Sequence, residues 1–219
     1  MKRELPEGWE WVPLGEACEV VLGQSPPGSS YNSGGQGMPF FQGKAEFGER
    51  FPTICKWTTE PKRMAPLGAT LLSIRAPVGP TNIAPVDCAI GRGLAALCPT
   101  DLVKGKYLFW VMRSTAPRLA ENATGSTFEA VNGNQVRSHP IPIAPLEEQE
   151  QIVAAIEEHL SSIAIAREQI DRAMAHADIL GRRILSTAFS GRLLSIDDNR
   201  KDLAHRRGRD IAELEQNTV

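Results

Sequence analysis

The amino-acid sequence predicts an α+β protein made of a mostly β, loop-rich domain followed by a helical region. Almost all glycines and prolines lie in residues 1–145, where short apolar runs stand between turn signals, as in a domain of short strands. After Pro145 the pattern changes, because residues 147–177 contain neither Gly nor Pro and apolar residues recur at helical spacing. We therefore expect a first domain over residues 1–145, a helical, coiled-coil region over 146–194 and a charged, flexible tail over 195–219.

Within the first domain, residues 70–74 (TLLSI) and 94–97 (LAAL) are predicted to form strands. One helix interrupts the β pattern, because residues 106–113 contain no Gly or Pro and place Leu108, Val111 and Met112 on one face. Pro117 is expected to mark the end of this helix, or a kink near its end, since proline lacks the amide hydrogen that a helix interior uses.

The long helix carries a repeating apolar stripe with one polar interruption. Its positions are separated by 4, 3, 4, 3, 4 and 3 residues, which is the spacing of a coiled-coil seam. The seam consists of Ile156, Leu160, Ile163, Arg167, Ile170, Met174 and Ala177. We expect this seam to pair with another helix, with Arg167 setting register or partner choice. The alternative is an amphipathic helix packed on its own domain.

A second, shorter helix is predicted over residues 178–190, with Gly191 placed to act as its C-terminal stop. This helix could fold back on the long helix or extend it. The tail beyond it contains Arg206, Arg207 and Arg209 but too few large apolar residues to be buried.

Composition and charge limit the function classes. The net charge of −2 argues against a strongly basic, non-specific nucleic-acid binder. Residues 1–145 carry 14 Lys+Arg and 12 Asp+Glu, against 10 and 14 in residues 146–219, so any DNA contact is expected in the first domain. No apolar stretch is long enough to span a membrane, and the charged start, Met1-Lys2-Arg3, has no signal-peptide core. A cytoplasmic protein is expected.

Catalytic patterns are missing from the sequence. It contains no nucleophile-elbow, zinc-protease, P-loop or dinucleotide-binding motif. The cysteines stand far apart, which favours reduced packing residues over a metal site or a disulfide framework. These cysteines are Cys18, Cys55, Cys88 and Cys98, and the equally scattered histidines are His139, His159, His176 and His205. We therefore expect no enzyme, no cofactor and no metal.

Long polar side chains beside predicted turns are the candidate functional residues. Arginine reads guanine, and asparagine or glutamine reads adenine, in the grooves of DNA. The candidates are Gln42, Lys44, Arg75, Arg92, Asn132 and Asn134, with Gln135 beside them. Alternatively these are ordinary surface residues, with Arg75 and Arg92 in ion pairs with acids such as Asp87.

Several segments, taken in order, resemble the specificity subunits of type I restriction-modification systems. The resemblance extends from Leu5 to Leu194 and is most specific where a proline-rich strand is followed by Leu-Glu-Glu-Gln, which opens the family's long helix. The segments are residues 5–11 (LPEGWEW), 14–16 (LGE), 23–29 (GQSPPGS), 66–79 (PLGATLLSIRAPVG), 89–97 (AIGRGLAAL), 125–127 (GST), 141–149 (IPIAPLEEQ) and 188–193 (AFSGRL).

The resemblance implies a non-catalytic protein that binds double-stranded DNA and directs a methyltransferase subunit, and with it a restriction and motor subunit, to an interrupted site. Typical members have two target recognition domains and two helical regions, whereas this chain has one of each and no visible internal repeat. It could pair with itself, pair with another half-length chain, or be a piece of a full-length subunit. A protein–protein adaptor or anti-restriction decoy on the same scaffold is the alternative function.

Overall fold

The computed structural model describes residues 4–121 and 130–190, and it confirms the predicted α+β class. The helices are α1 (Leu14–Ala17), α2 (Gly105–Glu121), α3 (Gly133–Arg137) and α4 (Leu146–Phe189). The strands are β1 (Glu10–Pro13), β2 (Cys18–Leu22), β3 (Tyr31–Asn32), β4 (Met38–Phe41), β5 (Trp57–Thr58), β6 (Met64–Ala65), β7 (Thr70–Ser73), β8 (Thr81–Ile83), β9 (Cys88–Ile90), β10 (Leu94–Pro99) and β11 (Pro140–Ile143).

The strands form three small sheets. A four-stranded antiparallel sheet has the order β2-β10-β7-β8, and a five-stranded sheet has the order β3-β5-β4-β9-β6 with a parallel β4–β9 pair. The third sheet is the antiparallel pair β1–β11, which joins the two ends of the domain. Both predicted strands, residues 70–74 and 94–97, lie at the centre of the four-stranded sheet.

This four-stranded sheet is buried on both faces. Along β10, Ala95 and Leu97 join one apolar cluster with α2, whereas Leu94 and Ala96 join a second cluster with the five-stranded sheet. A strand covered on both faces carries a continuous apolar run instead of an alternating one, which explains the LAAL pattern. The predicted face of α2 is confirmed, since Leu108, Val111 and Met112 are all buried.

Pro117 was expected to mark either the end of helix α2 or a kink near its end. The helix does not end there but continues to Glu121. Proline removes one backbone hydrogen bond from the helix. Here Ala116 and Leu119, on either side of Pro117, are buried in the core, and this packing stabilises the last turn.

Helix α4 is one uninterrupted helix, so residues 178–189 extend the long helix and do not form a separate, shorter one. The physical reason is that no proline or cap breaks the pattern near Asp178, and an isolated glycine such as Gly181 costs only about 1 kcal/mol in a helix. The predicted stop at Gly191 and the tail over residues 195–219 lie outside the described residues.

The chain divides into two compact units, one ending at Glu157 and the other beginning at Glu158. The first three turns of α4 therefore belong to the first unit. Gln149 is fully buried there, where its side chain bonds to Lys104 N (2.8 Å), Leu102 O (3.0 Å) and Ala144 O (2.8 Å). In the part of the chain that the structure describes, no helix has the length and apolarity that a membrane span requires.

Candidate nucleic-acid interface

An open cleft of about 420 Å³ brings together three of the six predicted DNA-contacting residues. Arg75, Arg92 and Asn132 line it with Gln135, and its other walls are Leu22, Gly23, Ile74, Ala130 and Val131. These residues come from four separate segments of the chain, so folding alone assembles the cleft.

Arg92 lies at the tip of a tightly held loop between β9 and β10. On either side of it, Gly91 N donates to Phe41 O (2.8 Å) and Gly93 O accepts from Ile74 N (2.9 Å). Arg92 N donates to Ser25 Oγ at 3.3 Å. Glycine is required at position 23 by the close approach of two backbones, since a Cβ there would stand 2.1 Å from Gly91 O. The loop therefore fixes the Cα of Arg92 and leaves its side chain exposed.

Arg75 follows β7 and is also held by its backbone. Ser73 Oγ contacts Arg75 O at 3.0 Å and Pro77 O at 2.9 Å, and Arg75 forms an antiparallel bridge with Ala130. The next residue along, Val131, donates its N–H to Ile74 O at 3.0 Å. These bonds attach the segment leading to α3 directly to the strand that carries Arg75.

Asn132 and Gln135 form a capping box at the start of α3. Asn132 Oδ1 accepts from Asn134 N (2.9 Å) and Gln135 N (3.0 Å), and Gln135 Oε1 accepts from Asn132 N at 2.8 Å. This arrangement satisfies the otherwise unpaired amides of a helix N-terminus. Asn134 is exposed on the same helix but does not line the cleft.

The cleft is positively charged. Arg75 and Arg92 are exposed, and neither has an ion-pair partner among residues 4–121 and 130–190. Among the described residues, the alternative pairing with Asp87 is not formed, and the Asp87 carboxylate accepts from Leu67 N at 2.7 Å. Two guanidinium groups without counter-charges are suited to anionic or acceptor-rich ligands.

The remaining predicted contacts lie elsewhere. Gln42 is exposed, and its backbone lies beneath the Arg92 loop, where a Cβ on Gly93 would stand 2.7 Å from Gln42 O. Lys44 lines a separate cleft of about 540 Å³ with Arg113 and Thr81. Arg113 was missed from the sequence; its guanidinium lies over the rings of Phe109 and Trp110, a position that only the tertiary structure reveals.

The seam residues divide between the two units. Ile156 is half-buried in the first unit, where it lines a small cleft with Trp9, Trp110 and Ile152. The other seam residues are exposed: Leu160, Ile163, Arg167, Ile170, Met174 and Ala177. Ile163 and Ile170 have exposed fractions of 50% and 59%, a large apolar exposure for a helix of a single chain.

Burial shifts the pKa of several titratable groups of the first unit. Burial raises the pKa of the Cys18 and Cys88 thiols to about 12, and all four cysteines are free. Burial, with a smaller contribution from the Arg118 charge, lowers the pKa of His139. No cluster of potential metal ligands occurs among the residues described by the structure.

A family model described as the type I restriction modification DNA specificity domain matches residues 6–173. The chain is 36% identical over 196 residues to the MjaX type I restriction enzyme specificity subunit of Methanocaldococcus jannaschii, covering 87% of this chain and 44% of that one. It is 22% identical over 190 residues to the EcoDI specificity subunit of Escherichia coli, covering 87% and 40%.

Solved structures show the same similarity. The HsdS subunit from Thermoanaerobacter tengcongensis superposes with a TM-score of 0.73 at 41% identity, over 88% of this chain and 47% of that chain. A chain from a study of complex assembly in the type I R-M system gives a TM-score of 0.79 at 42% identity, over 88% and 48%. The chain thus spans about half the length of the relatives it matches.

Proposed function

Because this chain belongs to the type I restriction-modification specificity subunit family, we propose that it reads a DNA sequence and performs no catalysis itself. The observation that carries this proposal is the cleft with two exposed arginines, which have no ion-pair partner among the described residues and whose loops are hydrogen-bonded to distant parts of the chain. The backbone bonds fix where each arginine side chain begins, which limits the conformational entropy lost when that side chain contacts a base.

The proposed mechanism separates affinity from specificity. Lysines and arginines of the first unit, including Lys44, contact phosphates and supply most of the salt-dependent affinity. The cleft residues contact base edges and supply the sequence preference. We assign double-stranded DNA, the methyltransferase subunit and the restriction and motor subunit as partners, with the cytoplasm as the site of action.

The exposed seam supports pairing through α4. Self-association would relate two identical reading surfaces by a two-fold axis and select an interrupted palindrome. Pairing with a different half-length chain, or with the other half of a longer subunit, would select an interrupted asymmetric site. The sequence of the enriched DNA therefore distinguishes self-association from the two arrangements with a different partner.

The test is selection of bound duplexes from a random library by the chain mixed with its methyltransferase subunit. Enrichment of one interrupted site supports the proposal, and Arg92→Ala is then expected to weaken binding to that site about 10-fold or more, since a good arginine–guanine contact contributes roughly 1–3 kcal/mol. Binding to random DNA should change little. The matched control is Arg63→Ala, because Arg63 is exposed and does not line the cleft.

Two results would contradict these assignments. An equal loss of affinity for selected and random DNA would show that Arg92 contacts only the backbone. A chain that binds the methyltransferase subunit but enriches no sequence would favour the adaptor function over DNA reading.

A further inference from the structure

The polar side chains that line the Arg75/Arg92 cleft differ in the hydrogen bonds that they already form within the protein. The cleft contains four long polar side chains, from Arg75, Arg92, Asn132 and Gln135. The rest of its lining is apolar or glycine. Any hydrogen bond from a side chain of this cleft to a base edge therefore comes from two guanidinium groups or two carboxamides.

Both carboxamides are engaged in the capping box. Asn132 Oδ1 accepts two backbone hydrogen bonds, at 2.9 and 3.0 Å, which occupy both of its lone pairs. Gln135 Oε1 accepts from Asn132 N at 2.8 Å, so turning this side chain towards a base would leave that amide without its partner. Adenine readout requires a carboxamide oxygen to accept from N6 while its nitrogen donates to N7. Asn132 cannot do this while the cap is formed, and Gln135 would have to serve a base and the Asn132 amide with the same oxygen.

The guanidinium groups, in contrast, are not paired with acids in the described part of the chain. Arginine presents donors in a fork that matches O6 and N7 of guanine, and it has no acceptor to offer adenine N6. The backbone bonds around Arg75 and Arg92 fix the origin of each side chain. The donor set of the cleft thus fits a base edge that shows two acceptors.

We propose that this cleft reads guanine through Arg75 and Arg92, and that Asn132 and Gln135 are positioning residues which hold α3 against the cleft and contact no base. This inference rests on the proposed DNA-reading function and assigns the base that the site requires. It replaces the direct adenine contact expected for Asn132 from the sequence.

The experiment uses the complex with the methyltransferase subunit and the duplex enriched from the library. Each guanine in the site is replaced in turn by 7-deazaguanine, which pairs normally but lacks the N7 acceptor. At one or more positions the wild-type complex is expected to lose about 10-fold in affinity. The same replacement should cost little in the Arg75→Ala or the Arg92→Ala complex, because that variant has already lost the contact.

A second series tests the positioning role. Serine is also a good N-cap, so Asn132→Ser is expected to keep the enriched sequence unchanged, whereas Asn132→Ala lowers affinity and thermal stability without exchanging one base preference for another. Rescue by serine separates capping from base reading, because serine lacks the carboxamide that adenine readout needs.

The outcomes separate this inference from the function on which it rests. An enriched site without a guanine requirement, tolerance of 7-deazaguanine at every position, or an adenine preference lost in Asn132→Ser would overturn the inference alone. A complex that enriches no sequence would overturn the proposed function, and this inference with it.

Discussion

Lys106, near the start of α2, donates to the Glu157 carboxylate at 3.1 Å, at the boundary between the two units of the chain. Arg50 donates to the other oxygen of the same carboxylate. Glu157 thus receives two cations from two distant segments. Together with the Trp9 Nε1 to Glu148 Oε2 bond of 2.9 Å, this arrangement attaches the first turns of α4 to the β domain.

The Glu157 carboxylate is expected to make stability depend on pH. The hydrogen bond from Arg50 lowers the pKa of Glu157 below its ordinary 4.5, and the hydrogen bond from Lys106 and the positive charges of Arg50 and Lys106 make smaller contributions in the same direction. A carboxyl whose pKa is lower in the folded state stabilises that state above its unfolded pKa, and this contribution is lost as pH falls through the folded pKa.

Glu157→Gln should therefore lower the free energy of unfolding by about 1 kcal/mol at pH 7, a modest value because the group is partly exposed. The difference between the variant and the wild type should shrink as the pH falls below 4.5. Denaturant unfolding of both proteins at pH 7 and at a pH below 4.5 measures this difference. A difference that stays constant down to low pH would show that the loss comes from packing and not from charge.

Gln149→Leu tests the buried polar contact at the start of α4. The substitution keeps the volume roughly constant but leaves Lys104 N, Leu102 O and Ala144 O without their partner. Ala144 O is buried and the other two bonds are only partly buried, so a loss of roughly 1–3 kcal/mol in unfolding free energy is expected, the cost of one buried unsatisfied group.

The matched control for that variant is Gln151→Leu, two residues along the same helix, where the side chain is exposed. It should change stability by less than about 0.5 kcal/mol. Equal effects of the two substitutions in denaturant unfolding would contradict a specific role for Gln149.

The sequence predicted the division into a β domain and a long helix because both depend on local patterns. Glycine and proline punctuate the first part, and the 4–3 repeat extends through the second. Short strands such as β3, β5 and β6 have two residues each and were not predictable. Their pairing depends on segments far apart in the chain, and two residues carry no periodicity.

The candidate site was partly predictable for the same reason. Residue types at turns identified Arg75, Arg92 and Asn132, but their convergence in one cleft depends on glycine-mediated backbone contacts between β2, β4 and β10. The role of Asn132 was readable in principle, since asparagine followed three residues later by glutamine is a capping signature. The same two amides also fit the interpretation as base-contacting groups. In the structure they form the cap.

Gly23→Ala tests the close backbone packing that supports the Arg92 loop. The added Cβ would stand 2.1 Å from Gly91 O, a backbone atom that can move only with its loop. Overpacking of this kind typically costs about 1–3 kcal/mol, and we expect a lower midpoint of thermal unfolding together with weaker DNA binding. Gly28→Ala is the control, because nothing lies within 4 Å of its added Cβ. Comparable destabilisation by both substitutions would show that the close contact with Gly91 O is not the cause.

Ile163→Gln tests whether the exposed seam is an interface. Ile163 and Ile165 lie two residues apart on α4 and are exposed to similar extents, 50% and 55%, but only Ile163 belongs to the seam. If two copies pair through the seam, Ile163→Gln removes an apolar contact from each copy and should raise the dimer dissociation constant more than about 10-fold, since roughly 1.4 kcal/mol suffices for that change. Ile165→Gln should leave the dimer intact. Light scattering across a concentration series measures the dissociation constant of both variants.

Loss of the dimer in both variants would mean that α4 pairs through a broader face than the seam. A wild-type chain that is monomeric at every concentration would rule out self-pairing in favour of a different partner helix.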